Sequence, residues 1–229
     1  MYFDARHLPK PSNEYVAWVD VMGTQVSMLR SIQATANFVF KLHIAALEAN
    51  HADVTLYPVM DGFYASAADQ DRFLDFLREV FEKVAAEFVS ETQQQHRFMV
   101  RGGLAFGPVF HGRDVSGLAS TVLAEHSYRH AILLGMPMVQ AHLGEREAPP
   151  FGIYVHESAR TFALPGVEPI RAAWWRWKTV QNSRTWADLQ PAMASYFKWY
   201  KERSLPLAYP VERIETHVKM YEQYIALAE

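Results

Sequence analysis

The chain has 229 residues, of which 50% are hydrophobic and 21% charged, with a formal net charge of −3 and no cysteine. This composition is typical of a globular domain with a sizeable core, and it excludes disulfides and thiolate metal sites. The weak net charge argues against DNA as a partner, and no apolar run is long enough for a membrane helix. Because the N-terminus also lacks the apolar segment of a signal peptide, we expect a cytoplasmic protein.

The hydrophobic periodicity predicts alternating strands and helices through the first two thirds of the chain. Strands are expected at residues 14–21, 53–60, 62–67, 97–106, 151–156 and 171–178. Helices are expected at residues 25–49, 69–90, 119–145, 185–203 and 210–228. The first elements follow the order β-α-β-β-α-β, which predicts an α+β fold of the ferredoxin-like (split βαβ) type, an antiparallel sheet with helices on one face.

Glycines and prolines refine these elements. The Asp61-Gly62 dipeptide favours a tight hairpin turn, and Pro58 predicts a bulge or an interruption in the strand before it. Gly102 and Gly103 inside a strand indicate close approach by another backbone or a ligand. The Gly107-Pro108 dipeptide predicts a turn that ends the same strand.

We expect three regions along the chain. Residues 1–13 form an N-terminal arm, and residues 14–156 form the main domain. Residues 157–229 form a C-terminal helical extension that packs on the same domain.

Two acidic residues at strand ends are the first candidates for chemistry. Asp20 ends an apolar strand, and Asp61 lies at the predicted hairpin turn. If the first and second strands are neighbours, the two carboxylates reach one end of the sheet, where they repel each other unless a cation lies between them. Mg²⁺ or Mn²⁺ suits carboxylate oxygens combined with substrate phosphates. The alternatives are that Asp20 caps the following helix and that Asp61 is only a turn residue.

The turn after Asp20 is the second candidate feature. Thr24 can cap the predicted helix, and the backbone N–H groups of Met22, Gly23 and Thr24 precede its first turn. Free N–H groups at a helix start bind phosphate. We therefore expect this segment to hold the terminal phosphates of a polyphosphate.

Three motifs in this order resemble those of class III nucleotide cyclases. Val19-Asp-Val-Met-Gly-Thr24 resembles the first metal motif, and Met60-Asp-Gly-Phe-Tyr-Ala65 resembles the second. Residues 100–109, Val-Arg-Gly-Gly-Leu-Ala-Phe-Gly-Pro-Val, are similar to the Arg-x-Gly-Ile-x-x-Gly strand. The resemblance covers about residues 14–156 and is nearest to the small pyrimidine cyclases of bacterial anti-phage (Pycsar) systems, of the uridylate cyclase type.

The resemblance implies a phosphorus–oxygen lyase. It would convert UTP, or alternatively CTP, to the 3′,5′-cyclic monophosphate and pyrophosphate, and the product would signal to a separate effector. Asp20, Asp61 and the Val21 carbonyl are implied to hold two Mn²⁺ or Mg²⁺ ions, which activate the ribose 3′-hydroxyl and hold the leaving phosphates. The family's sites lie at a head-to-tail dimer interface, so a homodimer is implied.

The sequence departs from the purine-specific members of this family at Tyr57. Those members often place a base-reading lysine four residues before the second aspartate. An aromatic ring there is able to contact a smaller base, so Tyr57 is a candidate substrate-binding residue. The alternative is a half-buried strand residue with no contact to substrate.

A second departure concerns the asparagine and arginine that the family uses in the transition state. The best-matching positions here are Val139 and Leu143, whose side chains cannot hydrogen-bond to phosphate. The candidate replacements are Gln140, Arg97, Arg101 and Arg129, and we take Arg101 as the substrate-binding residue. This departure leaves open a catalytically silent module that binds a nucleotide or a partner protein. A metal-dependent phosphohydrolase is a third hypothesis.

Overall fold

The computed structural model describes residues 9–49, 51–115, 122, 124–202 and 211–227. Most of the predicted arm and parts of the helices predicted at 119–145 and 210–228 therefore lie outside the described residues.

A single sheet forms the centre of the molecule. Its strands are β1 (Ser12–Val21), β2 (Thr55–Val59), β3 (Gly62–Ala67), β4 (Val100–His111), β5 (Leu133–Gly135), β6 (Ile153–Val155) and β7 (Trp174–Trp175). The strand order is β2-β3-β1-β4-β6-β7, with β5 also paired to β4. The β4–β6 pair is parallel and the other pairs are antiparallel. The first strand is thus central, as its apolar content on both faces predicts.

Eight helices surround the sheet in the described part of the chain. They are α1 (Thr24–Met28), α2 (Ile32–Glu48), α3 (Gln70–Ser90), α4 (His126–His130), α5 (Met136–Gly144), α6 (Glu157–Thr161), α7 (Ser183–Lys201) and α8 (Val211–Ala226). None of these described helices is apolar enough over a sufficient length to cross a lipid bilayer.

The main core lies between one face of the sheet and α2 and α3. It contains alternate residues of β1, among them Tyr15 and Val19, and the apolar stripe of α3 from Phe73 to Phe88. Side chains of the C-terminal region, including Trp177 and Tyr224, belong to the same core. The opposite face carries a smaller cluster that α5 covers. The α+β prediction is confirmed, with the difference that helices occupy both faces.

Strand β4 extends beyond its predicted end. It continues through Gly107 and Pro108 to His111, because this segment pairs with β1 as far as Val109. The predicted turn at Gly107-Pro108 is therefore wrong. Gly107 has a φ of 154°, a value that favours glycine.

Two predictions about the β2–β3 hairpin are also corrected. The turn residues are Met60 and Asp61, because Gly62 already pairs with Val59. Pro58 does not interrupt its strand, since β2 is at the edge of the sheet, where proline removes no ladder hydrogen bond.

The single helix predicted at 25–49 is two helices. Ser31 has extended backbone angles and breaks the run, and its hydroxyl caps α2 by accepting from the Ala34 N–H. Thr24 is not a helix cap, because the residue before α1 is Gly23 in the left-handed conformation and no side chain caps that helix.

The glycine pair in β4 meets another backbone, as the sequence predicts. A Cβ on Gly103 would overlap the carbonyl oxygen of Ala141 in α5. The helix therefore lies directly against the strand, and this contact fixes the position of the segment that follows α5.

We predict that Gly103→Ala destabilises the protein by more than about 3 kcal/mol, because two backbone segments would have to separate to admit the methyl group. The control Gly166→Ala has open space around the new Cβ and only an unfavourable φ of 84°, so it should cost about 1 kcal/mol. Urea denaturation measures both losses. Equal losses would contradict the close contact between β4 and α5.

Candidate active site

Asp20 lies near the C-terminal end of β1. It is paired with Gly62 of β3 on one side and with Arg101 of β4 on the other. Because side chains alternate along a strand, Asp20 faces the same side of the sheet as the buried Trp18. This is the face that α5 covers, so the carboxylate is partly buried beside apolar groups.

Asp61 reaches the same end of the sheet from the β2–β3 turn. It immediately precedes Gly62, the residue opposite Asp20. The turn lies close to β1, because a Cβ on Gly62 would overlap the carbonyl oxygen of Val19. The Thr24 hydroxyl donates to Asp61 Oδ2 and orients that carboxylate. The sequence analysis supposed that β2 is the neighbour of β1, but the neighbour is β3. The hairpin still brings the two acids together.

The surroundings of Asp20 oppose its ionisation. Burial is the largest effect that raises the pKa of Asp20, and the negative charges of Asp61 and Glu145 add to it. Together they raise this pKa to about 8. Arg101 and a hydrogen bond from the Val21 N–H act in the opposite direction. Asp20 Oδ1 is buried and has no hydrogen-bond partner among the described residues. Such an atom is costly unless it binds a cation or a proton.

The donor set suits a hard divalent cation. Asp20 and Asp61 offer carboxylate oxygens, and the unpartnered Oδ1 is the type of atom that Mg²⁺ or Mn²⁺ binds. Within the described residues, no group of three or more histidine, aspartate or glutamate side chains is arranged to hold a metal ion. A cation held by these two carboxylates would need further oxygen ligands from other groups.

The backbone N–H groups after Asp20 differ in whether they already form a hydrogen bond. The Met22 N–H donates to the Met99 carbonyl at 2.8 Å, so it is not free to bind phosphate and that prediction is wrong. This hydrogen bond continues the pairing of β1 with β4 by one residue beyond the last pair of the ladder, Val21 and Val100. The N–H groups of Gly23 and Thr24 remain at the start of α1, where a helix supplies no partner for them.

Tyr57 is not a stacking surface in the single chain. Its side chain is buried, with 2% exposed, in the cluster beneath α5. Its hydroxyl contacts His111 Nδ1, and His111 Nε2 contacts Glu14 Oε1 at 2.8 Å. The ring therefore belongs to a buried polar network that joins three strands, and the predicted contact with a base is corrected in favour of this structural role.

The two positions that the sequence resemblance matches to transition-state residues lie on α5. Val139 and Leu143 are 49% and 58% exposed. Two of the candidate replacements are engaged elsewhere: Arg97 donates to three backbone carbonyls, and Arg129 donates to the Arg113 carbonyl. Arg101 is the candidate arginine that lies beside Asp20.

Glu145 is a site residue that the sequence analysis did not identify. It follows α5 directly, is only 5% exposed, and contacts Arg101 Nε through its Oε1. A charged Glu145-Arg-Glu run predicts a solvated helix end, and no pattern in the sequence indicates that the first of these acids is buried.

No family model matches the chain, and no curated protein matches it. Solved structures do resemble it. One is a double mutant of the guanylyl cyclase domain of the RhoGC fusion protein from the aquatic fungus Blastocladiella emersonii, a monomeric crystal structure. It has a TM-score of 0.50 and 18% identity, over 66% of this chain and 83% of that one.

A bacterial light-regulated adenylyl cyclase also has a TM-score of 0.50, with 13% identity over 64% of this chain and 77% of that one. The chain has the fold of a nucleotide cyclase catalytic domain. In this cyclase fold, the two aspartates lie at the end of the central strand and at the tip of the adjacent hairpin.

We predict that Asp20→Asn stabilises the metal-free protein at pH 8. Because the pKa of Asp20 rises from 3.8 to about 8 on folding, the folded state keeps a proton that the unfolded state releases, and stability falls as the pH rises through this range. The variant should gain on the order of 3 kcal/mol at pH 8 and much less at pH 4.

Denaturation in EDTA at both pH values measures this difference. The control Asp53→Asn changes an exposed aspartate that is paired with Arg72, and it should keep the pH dependence of the wild type. An Asp20→Asn variant with unchanged pH dependence would contradict the buried-charge account.

We predict that Tyr57→Phe lowers the free energy of unfolding by about 1–3 kcal/mol, because it leaves the buried His111 Nδ1 without its partner. Tyr128→Phe, at a side chain that is 65% exposed, is the matched control and should be neutral.

Burial tends to raise the pKa of Glu14, but hydrogen bonds with His111 and Ser12 lower it overall. The ionised Glu14 should therefore stabilise the folded protein at neutral pH, and this stabilisation should be lost only as the pH falls below about 4.5.

Proposed function

We propose that the chain is a metal-dependent pyrimidine nucleotide cyclase that converts UTP to 3′,5′-cyclic UMP and pyrophosphate. The observation that carries the proposal is the juxtaposition of Asp20 and Asp61 at one end of the sheet in a cyclase fold, with Asp20 Oδ1 buried and unpartnered. Two Mn²⁺ or Mg²⁺ ions, held by Asp20, Asp61 and the Val21 carbonyl, would supply Lewis-acid stabilisation of the triphosphate.

The chain's own residues account for binding and orientation. Asp20 would lose its proton when a cation binds, because the positive charge offsets the burial and the repulsion that raise its pKa. Thr24 holds the Asp61 carboxylate in place through its hydroxyl. The N–H groups of Gly23 and Thr24 are available to the terminal phosphates. Arg101 contacts Glu145 through Nε, and the rest of its guanidinium would face the same anion.

The balanced reaction needs no other co-reactant. The ribose 3′-oxygen forms a bond to the α-phosphorus, the bond from that phosphorus to the β-phosphate bridging oxygen breaks, and pyrophosphate leaves. The 3′-hydroxyl proton passes to solvent. The reaction draws on nucleoside triphosphates, which are cytosolic, so we assign the enzyme to the cytosol.

A pyrimidine substrate is supported by the residue at position 57. The lysine that reads purines in the resembled family is replaced by a tyrosine whose hydroxyl is committed to His111. Position 57 therefore offers no positively charged side chain to a purine base. UTP is favoured over CTP by the sequence resemblance, which also supports the assignment of the product as a second messenger in anti-phage defence, detected by a separate effector.

A homodimer with sites at the interface belongs to the same proposal. Apolar side chains on β5 and the outer face of α5 are exposed, namely Leu134, Met136, Val139 and Leu143. An exposed apolar patch of this kind is typical of an interaction surface. Val139 and Leu143 themselves cannot donate to phosphate, and a second copy brings the same two side chains.

The same two residues favour a second candidate function. A module that binds a nucleotide or a partner protein without turnover would need no hydrogen-bond donors at positions 139 and 143. Product formation separates this candidate from the enzyme.

The decisive assay incubates purified protein with Mn²⁺ and each of the four nucleoside triphosphates. We predict cyclic UMP and pyrophosphate from UTP, and a loss of about 100-fold or more in Asp61→Ala, the scale expected when one electrostatic stabiliser is removed. Asp53→Ala, an exposed aspartate on the same chain, should retain wild-type turnover.

Each other result rejects a stated part of the proposal. Cyclic product from ATP or GTP alone would reject the pyrimidine substrate. Nucleotide binding without pyrophosphate release would favour the silent module, and a linear nucleotide product would favour a phosphohydrolase.

A further inference from the structure

Arg101 and Asp20 form a cross-strand pair with opposite charges. They are directly opposite each other in the β1–β4 ladder, and residues paired in this way have Cβ atoms about 4.5–5.5 Å apart on one face. An arginine in this position would ordinarily bind the carboxylate, often in a bidentate manner. Such an ion pair would occupy the oxygens that a metal ion needs.

The observed contacts are different. Arg101 Nε contacts Glu145, and Arg101 Nη1 lies 3.5 Å from the Arg146 carbonyl oxygen. Asp20 forms no ion pair with any described residue, and its Oδ1 lacks a hydrogen-bond partner among them. The guanidinium thus binds Glu145, which is not its cross-strand neighbour, and leaves Asp20 available.

Glu145 is built into this position by the packing of α5. A Cβ on Gly103 would come within 2.7 Å of the Glu145 backbone nitrogen, so the glycine lets the helix end lie against β4. The side chains of Arg101 and Glu145 are 17% and 7% exposed. A buried pair of this kind holds a fixed geometry, because separating the charges leaves each without compensation.

No other described acid pairs with Arg101. From α8, the neighbouring titratable group is His217. Burial, then the charges of Arg101 and Arg213, lowers the pKa of His217 to about 4, so this side chain is neutral at physiological pH. Glu145 is therefore the anion that competes with Asp20 for the guanidinium.

We propose that Glu145 is a positioning residue that holds Arg101 away from Asp20 and so keeps the metal-binding carboxylate free. The inference rests on the proposed function, since it concerns the same two-aspartate site. Without Glu145, the guanidinium turns to Asp20 and competes with the cation. Removing Arg101 as well takes away the competitor, so the second mutation should repair the defect caused by the first.

The test measures Mn²⁺ binding without nucleotide at pH 8.5, by electron paramagnetic resonance or by calorimetry. We expect Glu145→Ala to weaken Mn²⁺ binding about tenfold or more, and Arg101→Ala to bind at least as tightly as the wild type. The double variant Arg101→Ala/Glu145→Ala should return to within about threefold of Arg101→Ala. The matched control is Glu147→Ala, at an exposed acid in the same short turn, which should bind as the wild type does.

Glu145→Gln keeps an oxygen that accepts from Arg101 Nε and guards against a folding defect in the alanine variant. Its affinity should lie between those of the wild type and Glu145→Ala, with a melting temperature near that of the wild type. A structural role alone would lower the melting temperature of both variants without any rescue by Arg101→Ala.

Unchanged Mn²⁺ affinity in Glu145→Ala, or a loss that the double variant fails to reverse, would overturn the inference while leaving the proposed function intact. Wild-type protein that binds no Mn²⁺, or binds it equally well after Asp61→Ala, would overturn the metal-dependent function itself.

Discussion

The repulsion between two carboxylates at one end of the sheet is the interaction on which this account depends. Asp20 is held there by the central strand, and Asp61 by a hairpin turn that lies against it. Burial and mutual repulsion make the ionised Asp20 unfavourable in the absence of a cation. The structure keeps the arrangement because Thr24 orients the Asp61 carboxylate and the close packing of β3 against β1 holds the turn that carries it. The two acids thus lower the stability of the cation-free protein at a site that a cation can fill.

Much of the fold followed from patterns in the sequence. The period of the apolar residues from Phe73 to Phe88 predicted α3, and the strand at 62–67 was predicted with its observed ends. The errors occurred where tertiary pairing overrides local preference. Pro58 lies at a sheet edge, and Gly107-Pro108 continues β4 because β1 offers a partner along its length. Ser31 divided the first helix, although the apolar stripe continues across it.

The site was predictable to the extent that it depends on strand ends. Asp20 and Asp61 were identified because an acid in an apolar strand and an acid in a tight turn are both local features. The engagement of the Met22 N–H by Met99 depends on strands distant in sequence, and so does the burial of Tyr57. Glu145 was missed because its burial results from the contact between α5 and Gly103, which no local pattern encodes. The similar solved structures share 13–18% identity with the chain and support its fold.

The central claim is that Asp20 and Asp61 bind the same cations. The most direct measurement is an anomalous difference map from crystals soaked with Mn²⁺ and a non-hydrolysable UTP analogue. The account predicts manganese peaks within coordination distance, about 2.2 Å, of oxygens from both aspartates and from the phosphates. Manganese bound elsewhere, or a nucleotide bound with neither aspartate in contact with a metal ion, would contradict it.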